Sequence, residues 1–427
     1  MSERTPQPLV YIMTPVYNGE TYLRECIESV LAQTYSNWVY TIVNNCSTDH
    51  TLEIANEYAA RDRRIHIHCN QSFLDVIDNH NMAFRLMPSE SKYCKPVMAD
   101  DWLSPECLGE MVHAAEQNAS VGLVCTYAFN GTHVVWDGIS YPEGFVSGRD
   151  ICRATLLGEP NIFGSSTAQL IRADLIRKRP SFYNTSNLQA DFESCLEILQ
   201  ESDFGFVHQD LTFNRIHENS VTSKVQGSED FLFGDLIAIV KFGPRYLTQD
   251  EHEARLQSMF LYYYRVLAKN VLRLRGLRFW KAHRKNLQGL GYSLEKRALA
   301  LAVLRELPRQ YRLHQAIRQI AALIPAGASF ILVDEEQWET SDSVNGRRRI
   351  PFLERNGQYW GNPEDDATAI RELERLRQSG AGHLVFAWPA FWWLEYYSVL
   401  RRHLESKFQC VLKNHNVIVY DVRRCLE

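Results

Sequence analysis

The sequence predicts an α/β protein. A doubly wound, mostly parallel sheet flanked by helices is followed by a helical region and a small second α/β unit. Three observations carry this. Strand-like and helix-like segments alternate over residues 8–100, the order of a mostly parallel sheet. Residues 228–322 read as almost wholly helical, and β signals return from about residue 323. The corresponding division is 1–225, 226–322 and 323–427.

Residues 8–18, PLVYIMTPVYN, are a β-rich run broken by Pro15. Residues 19–34 then place Leu23, Ile27, Val30 and Leu31 at helical spacing. A second strand, within 37–51, ends in the polar turn NNCSTD. The helix TLEIANEYAARD follows, with Asp49 as its expected N-cap. RIHIHCN alternates like a third strand, and SKYCKPVMADD reads as a fourth. Beyond residue 104 the pattern mixes a helix near 105–118, the strand GLVCTYAF, a helix near 190–201, and HQDLTFNRIHENSVTS, a strand leaving into a polar loop. The last unit is read from ASFILVDE, HLVFAW and NVIVYDV, with a helix near 364–378 whose N-terminus is the run Glu364–Asp366.

Composition excludes several classes. Of 427 residues, 45% are hydrophobic and 23% charged, with net charge −5, which argues against wholesale nucleic-acid binding. The apolar run Leu9–Met13 is too short for a signal peptide. No stretch reaches the roughly 18 apolar residues of a membrane span. The ten cysteines sit singly, without a CxxC or zinc-site spacing, which reads as reduced thiols of a cytoplasmic protein. The sequons at Asn45–Ser47 and Asn130–Thr132 are then chance matches. Residues 263–287 carry eight Lys/Arg and no Asp/Glu. They are either a core-packed helix with a solvated basic face or a segment that docks peripherally on the inner face of an anionic membrane. FAWPAFWWLEYY, residues 386–397, reads as core rather than as an exposed carbohydrate platform.

Three polar clusters fall at the ends of predicted strands: TPVYN (14–18), NNCSTD (44–49) and MADD (98–101). In a doubly wound sheet such ends converge on one edge, where ligands bind. Taken singly, NNCSTD is a turn and helix cap, and Asp100–Asp101 a solvated loop. Taken in this order, they resemble the family 2 glycosyltransferases, a nucleotide-sugar-dependent group with the GT-A fold. Pro15-Val16-Tyr17-Asn18 resembles that family's first motif, Asn44 to Asp49 its second, and Asn79 with Asn81-Met82-Ala83 its helix segment. Met98-Ala99-Asp100-Asp101 resembles its metal-binding motif. The resemblance covers residues 8–225.

The resemblance implies a nucleoside-diphosphate sugar as donor and a divalent cation, Mg²⁺ or Mn²⁺, bridging its diphosphate. Carboxylate oxygens are the natural ligands of a hard cation. Asp100 is then the metal ligand, with Asp101 supporting it and His217 beside it. Arg215 lies near the diphosphate, cation to anion. Thr14, Pro15, Tyr17 and Asn18 line the base and ribose pocket, and Asn44, Asn45 and Asn81 are further donor-binding positions. Two residues depart from the family pattern. Met98 stands for the first Asp of the metal motif, and Asn44 for an acidic residue on the uracil imide. An amide both donates and accepts, so thymidine and guanosine donors are open beside uridine.

On the acceptor side, NLQADFESCLEIL and the strand ending Arg215-x-His217 resemble the family's second half, which makes Asp191 the general base of an inverting transfer. Its alternative is an ordinary first-turn helix acid, and Glu193 is the reserve base. Gly164, Ser165 and Ser166 resemble the segment framing the acceptor pocket. The function so read is transfer of a sugar to a hydroxyl of a glycan or lipid-linked glycan. Two rivals stand beside it. A nucleotidyltransferase would carry a basic Gly-rich loop after the first strand, where this chain has no basic residue before Arg24. A non-catalytic sugar-nucleotide-binding scaffold would explain Met98 and Asn44.

Overall fold

A computed structural model describes residues 7–130, 133–135, 144–215, 217, 230–335, 337–338, 343–355 and 358–426. The polar loop expected after His217 and most of the second sequon lie outside these residues. The chain divides into two compact units, one of residues up to 266 with 276–294, the other of 267–275 with 295–427.

The first unit begins β1 (Val10–Val16), α1 (Leu23–Leu31), β2 (Trp38–Asn44), α2 (Thr51–Ala59), β3 (Ile65–Cys69), α3 (Val76–Arg85) and β4 (Tyr93–Pro96). It continues β5 (Trp102–Leu103), α4 (Cys107–Gln117), β6 (Val121–Asn130), β7 (His133–Val135), β8 (Phe145–Val146) and α5 (Gly148–Leu157). Then come β9 (Gln169–Arg172), α6 (Ala173–Arg177), α7 (Ala190–Ile198), β10 (Asp203–Asn214), α8 (Asp230–Tyr246), α9 (Gln249–Leu272, of which residues 267–272 belong to the second unit) and α10 (Leu277–Gly289). The main sheet runs β3-β2-β1-β4-β9-β6-β10-β5, with β7 beside β6 and β8 beside β10.

Alternation along β1 explains the double winding. Val10 and Ile12 join the buried cluster formed with Ile27 and Val30 of α1, Ile54 of α2 and Met111 of α4. Tyr11 points to the other face, where its hydroxyl donates to the Ala83 carbonyl of α3 (2.8 Å). A strand apolar on both faces must be covered on both. The parallel order holds for β3-β2-β1-β4. Beyond β4 the sheet is mixed: β9 inserts antiparallel to both β4 and β6, and β10 returns parallel to β6.

The second unit comprises α11 (Lys296–Leu323), β11 (Ser329–Val333), β12 (Ser343–Val344), β13 (Arg347–Pro351), β14 (Glu354–Arg355), β15 (Gln358–Tyr359), α12 (Asp366–Gln378), β16 (His383–Ala387), α13 (Trp393–Tyr396), α14 (Ser398–Lys407), β17 (Gln409–Lys413) and β18 (Val417–Asp421). Its sheet order is β12-β13-β11-β16-β18-β17. Asp365 caps α12, its carboxylate accepting from the Thr368 amide (2.7 Å). In FAWPAFWWLEYY, Phe386, Trp393 and Tyr397 are core, whereas Tyr396 is 70% exposed.

The basic stretch 263–287 is not one helix. α9 ends at Leu272 and α10 begins after Gly276. Between them Leu274 takes a left-handed backbone (φ 54). Leu274 and Leu277 are exposed. Among the described residues, no helix is long and apolar enough to cross a membrane.

Candidate functional site

Because β1, β2, β3 and β4 are parallel and in register, with Val16 opposite Asn44 and Met13 opposite Pro96, their carboxyl ends share one edge. The three motifs therefore meet there. Asn18 (φ 51) and Cys46 (φ 58) both adopt the left-handed region, sparsely used by residues with a side chain. These bends lock the first two loops together. The Asn18 amide donates to Ser47 Oγ (3.0 Å), and the Thr48 amide donates to Asn18 Oδ1 (2.8 Å). Asp49 Oδ1 accepts from the Thr51 amide (3.0 Å), and its other oxygen accepts from the Glu20 amide (3.1 Å). Asp49 thus braces the start of α2 and ties it to the first loop, but the N-cap position itself is His50, one residue after the expected Asp49.

Asp100 and Asp101 face different surroundings. Asp101 is 4% exposed. Its Oδ2 accepts from Thr167 Oγ1 (2.6 Å) and Asn214 Nδ2 (3.0 Å), and its Oδ1 from the Arg215 amide (3.1 Å). Burial, with the adjacent Asp100 charge second, pushes its carboxyl up to about 7. Asp100 instead presents Oδ2 to His217 Nε2 at 2.9 Å, and both side chains retain solvent access. Arg215 Nε donates to the Asp100 carbonyl (3.1 Å). The Arg215 guanidinium lies over the Tyr22 ring (4.5 Å) and pairs with Glu25 of α1.

A divalent cation fits Asp100 and His217. A carboxylate and an imidazole, both reachable from solvent, can supply two ligands while a diphosphate and water supply the rest. Asp101 is less suited, since it is buried and its oxygens already accept three hydrogen bonds. Among the described residues no group of three or more His, Cys, Asp or Glu side chains could hold an ion alone.

Other expected donor-binding residues lie below the edge. Thr14 is fully buried, donating to the Val97 carbonyl (2.8 Å) and accepting from Tyr40 (2.7 Å). Pro15 is buried within β1. Asn45 braces the loop after β3, donating to the Leu74 carbonyl and accepting from its amide (2.8 and 2.9 Å). Asn81 exchanges two 2.8 Å hydrogen bonds with the Tyr183 backbone and is 1% exposed. Asn44 Oδ1 accepts from the Ser47 amide (3.2 Å). Tyr17, by contrast, is half exposed and meets Phe73 edge to face (4.9 Å). Two open aromatic rings at a strand end can hold a nucleobase by stacking.

Asp191 stands in the first turn of α7 and is partly buried, its Oδ1 accepting from the Phe192 amide (2.9 Å). Burial raises its pKa, which suits a base working near neutrality. Its charge is felt by Tyr183, whose hydroxyl meets Ser166 Oγ (2.9 Å), one residue from Thr167. Glu193 is otherwise employed. It is 2% exposed and held by Asn184 (3.0 Å), Asn187 (2.7 Å) and Lys241 of α8 (2.8 Å). Glu193→Ala strands the buried Asn187 amide and should lower unfolding stability by about 1–3 kcal/mol in a denaturant titration.

Thr167, Asn214, Phe73 and Lys95 were not legible as site residues. Lys95, fully buried in β4, donates to the carbonyls of Thr167 and Gln169. A lysine inside an apolar strand was the one available signal. Thr167 Oγ1 in turn accepts from the Met98 amide (3.1 Å). Met98 Sδ lies 3.3 Å from His80 Nε2.

Residues 11–178 match the family model described as Glycosyl transferase family 2. This segment is a family 2 glycosyltransferase domain. EpsH of Bacillus subtilis is 33% identical over 122 residues, 28% of this chain and 34% of EpsH. An uncharacterised glycosyltransferase of Haemophilus influenzae is 26% identical over 228 residues, covering 51% of this chain and 68% of that protein. This chain therefore spans about a third of the first relative. The fold resembles that of Staphylococcus aureus TarS 1–349 in complex with UDP-GlcNAc. There the TM-score is 0.51 at 15% identity, over 73% of this chain and 92% of TarS 1–349.

Proposed function

We propose that the chain is an inverting glycosyltransferase that moves a sugar from a nucleoside-diphosphate sugar to a hydroxyl of a glycan or lipid-linked glycan. The observation that carries it is the pairing of Asp100 with His217, braced by Arg215, where the three family motifs meet. A divalent cation bound there would offset the charge of the departing diphosphate. Arg215 orients the Asp100 loop and adds positive charge for that diphosphate. Tyr17 and Phe73 stack on the base, while buried Asn44 shapes the second loop through the Ser47 amide. Asp191 takes the proton from the acceptor hydroxyl. The oxygen forms a bond to the anomeric carbon while the bond to the diphosphate breaks, the electron pair leaving with the diphosphate. Membrane contact through 263–287 belongs to the same reading, supported by exposed Leu277 among the basic residues of α10.

Thermal-shift titration with UDP, GDP and dTDP, each with and without Mn²⁺, tests it. A ligand at 100 times its Kd stabilises by about 2.7 kcal/mol, so the matching nucleotide should raise the melting temperature only with the ion. Absence of any Mn²⁺-dependent shift sinks the donor assignment.

A further inference from the structure

A recess of about 200 Å³ lies between the end of α5, the start of α7, and helices α8 and α9, with every lining residue in the first unit. Gln189 and Phe192 on its wall flank Asp191 in sequence. Two glycines permit close approaches in and behind its walls. A Cβ on Gly234 would meet Gln189 Oε1 at 2.1 Å, so only glycine lets that amide lie against α8. Gly158 ends α5 in the left-handed region (φ 112), and the Arg255 guanidinium sits 3.5 Å from where its Cβ would be. Arg255 Nε donates to the Leu156 carbonyl (2.9 Å), which fixes the guanidinium plane at the wall.

The chemistry of the wall selects a ligand class. Gln189 Oε1 is buried against Gly234, out of reach of a ligand, so the acceptors the recess offers to hydroxyl donors are the carboxylates of Asp235 and Glu159. Asp235 and Glu159 set two carboxylates against the single Arg255, so phosphate and uronate are repelled and neutral hydroxyls are welcome. Phe192 and Met259 add an apolar surface, the counterpart of a sugar ring's C–H face. The volume falls below the roughly 300 Å³ at which ordinary ligand pockets begin, room for one ring and not for a lipid chain.

We infer that this recess seats a neutral hexosyl residue of the acceptor. The assignment as acceptor subsite rests on the glycosyltransferase reading; the binding itself does not. Saturation-transfer NMR on the full chain, with the methyl glycosides of glucose, galactose and mannose and with methyl glucuronide, tests it. At least one neutral glycoside should show saturation, and the glucuronide none. Asp235 lies on an exposed position of α8, so Asp235→Ala should fold, as its circular-dichroism melt will report. It should weaken the neutral glycoside by roughly tenfold, the loss of one hydrogen bond to a charged group. Glu159→Lys should admit the glucuronide. No neutral glycoside bound, binding indifferent to Asp235→Ala, or glucuronide excluded by Glu159→Lys would each overturn the inference. Donor hydrolysis by the wild-type chain is measured separately: its absence removes the glycosyltransferase reading and leaves the binding result standing.

Discussion

Asp191→Asn should lower the rate of sugar transfer by two to four orders of magnitude, the usual contribution of a positioned general base. The amide keeps the size of the side chain and can still accept from the Phe192 amide, so affinity for the nucleotide should stay unchanged. The pH profile separates this role from a merely structural one. Burial raises the Asp191 pKa, and a base acts only when deprotonated. The acid limb of log(kcat/KM) should therefore bend above the ordinary aspartate range near 3.9, with activity rising as pH rises through it. In Asp191→Asn that limb should vanish. A variant that transfers at the wild-type rate would return Asp191 to the role of a first-turn helix acid. Glu193 could not then take its place, since Asn184, Asn187 and Lys241 already occupy its carboxylate.

Much of the fold could be read in the sequence because burial imposes its own period. Val10 and Ile12 alternate with Tyr11 and Met13, all fully buried, and Leu23, Ile27 and Val30 recur at helical spacing toward the same core. The direction of β9 could not be read. Gln169–Arg172 is four residues long, and a short apolar run carries no mark of parallel or antiparallel pairing. The break at Leu274 was hidden for a related reason: propensity favours helix on both sides, and the turn is set by a single left-handed residue. In the site, order along the chain placed the right loops on one edge but could not say which side chains remain open. Thr14, Asn45 and Asn81 look like ligand-binding polar residues, and their hydrogen-bonding capacity is spent on neighbouring backbone. Those partners lie up to 102 residues away, beyond the reach of any local pattern.

The two adjacent aspartates should respond to the same mutation in different ways. Asp100→Ala removes the exposed partner of His217 and the proposed metal ligand. Loss of a positioned electrostatic group of this kind typically costs about 10²–10³-fold in turnover, and Mn²⁺ should no longer enhance nucleotide binding. Stability should hardly change, because a partly exposed pair of this type is worth about 0–1 kcal/mol. Removing Asp100 also lifts the like charge that, after burial, disfavours ionisation of Asp101. Asp101→Ala should lose activity and stability together. It leaves Thr167, Asn214 and the Arg215 amide without their common acceptor, at about 1–3 kcal/mol for a stranded buried donor. It also releases the segment that carries His217. Calorimetry of both variants with Mn²⁺-dependent nucleotide titration distinguishes them. Equal melting temperatures for the two would mean that Asp101 does not organise the loop. Retained Mn²⁺ dependence in Asp100→Ala would move the ion elsewhere. The repulsion between neighbouring carboxylates thus has a structural resolution before any ligand arrives: one is sequestered by three donors, and the other is left facing solvent beside His217.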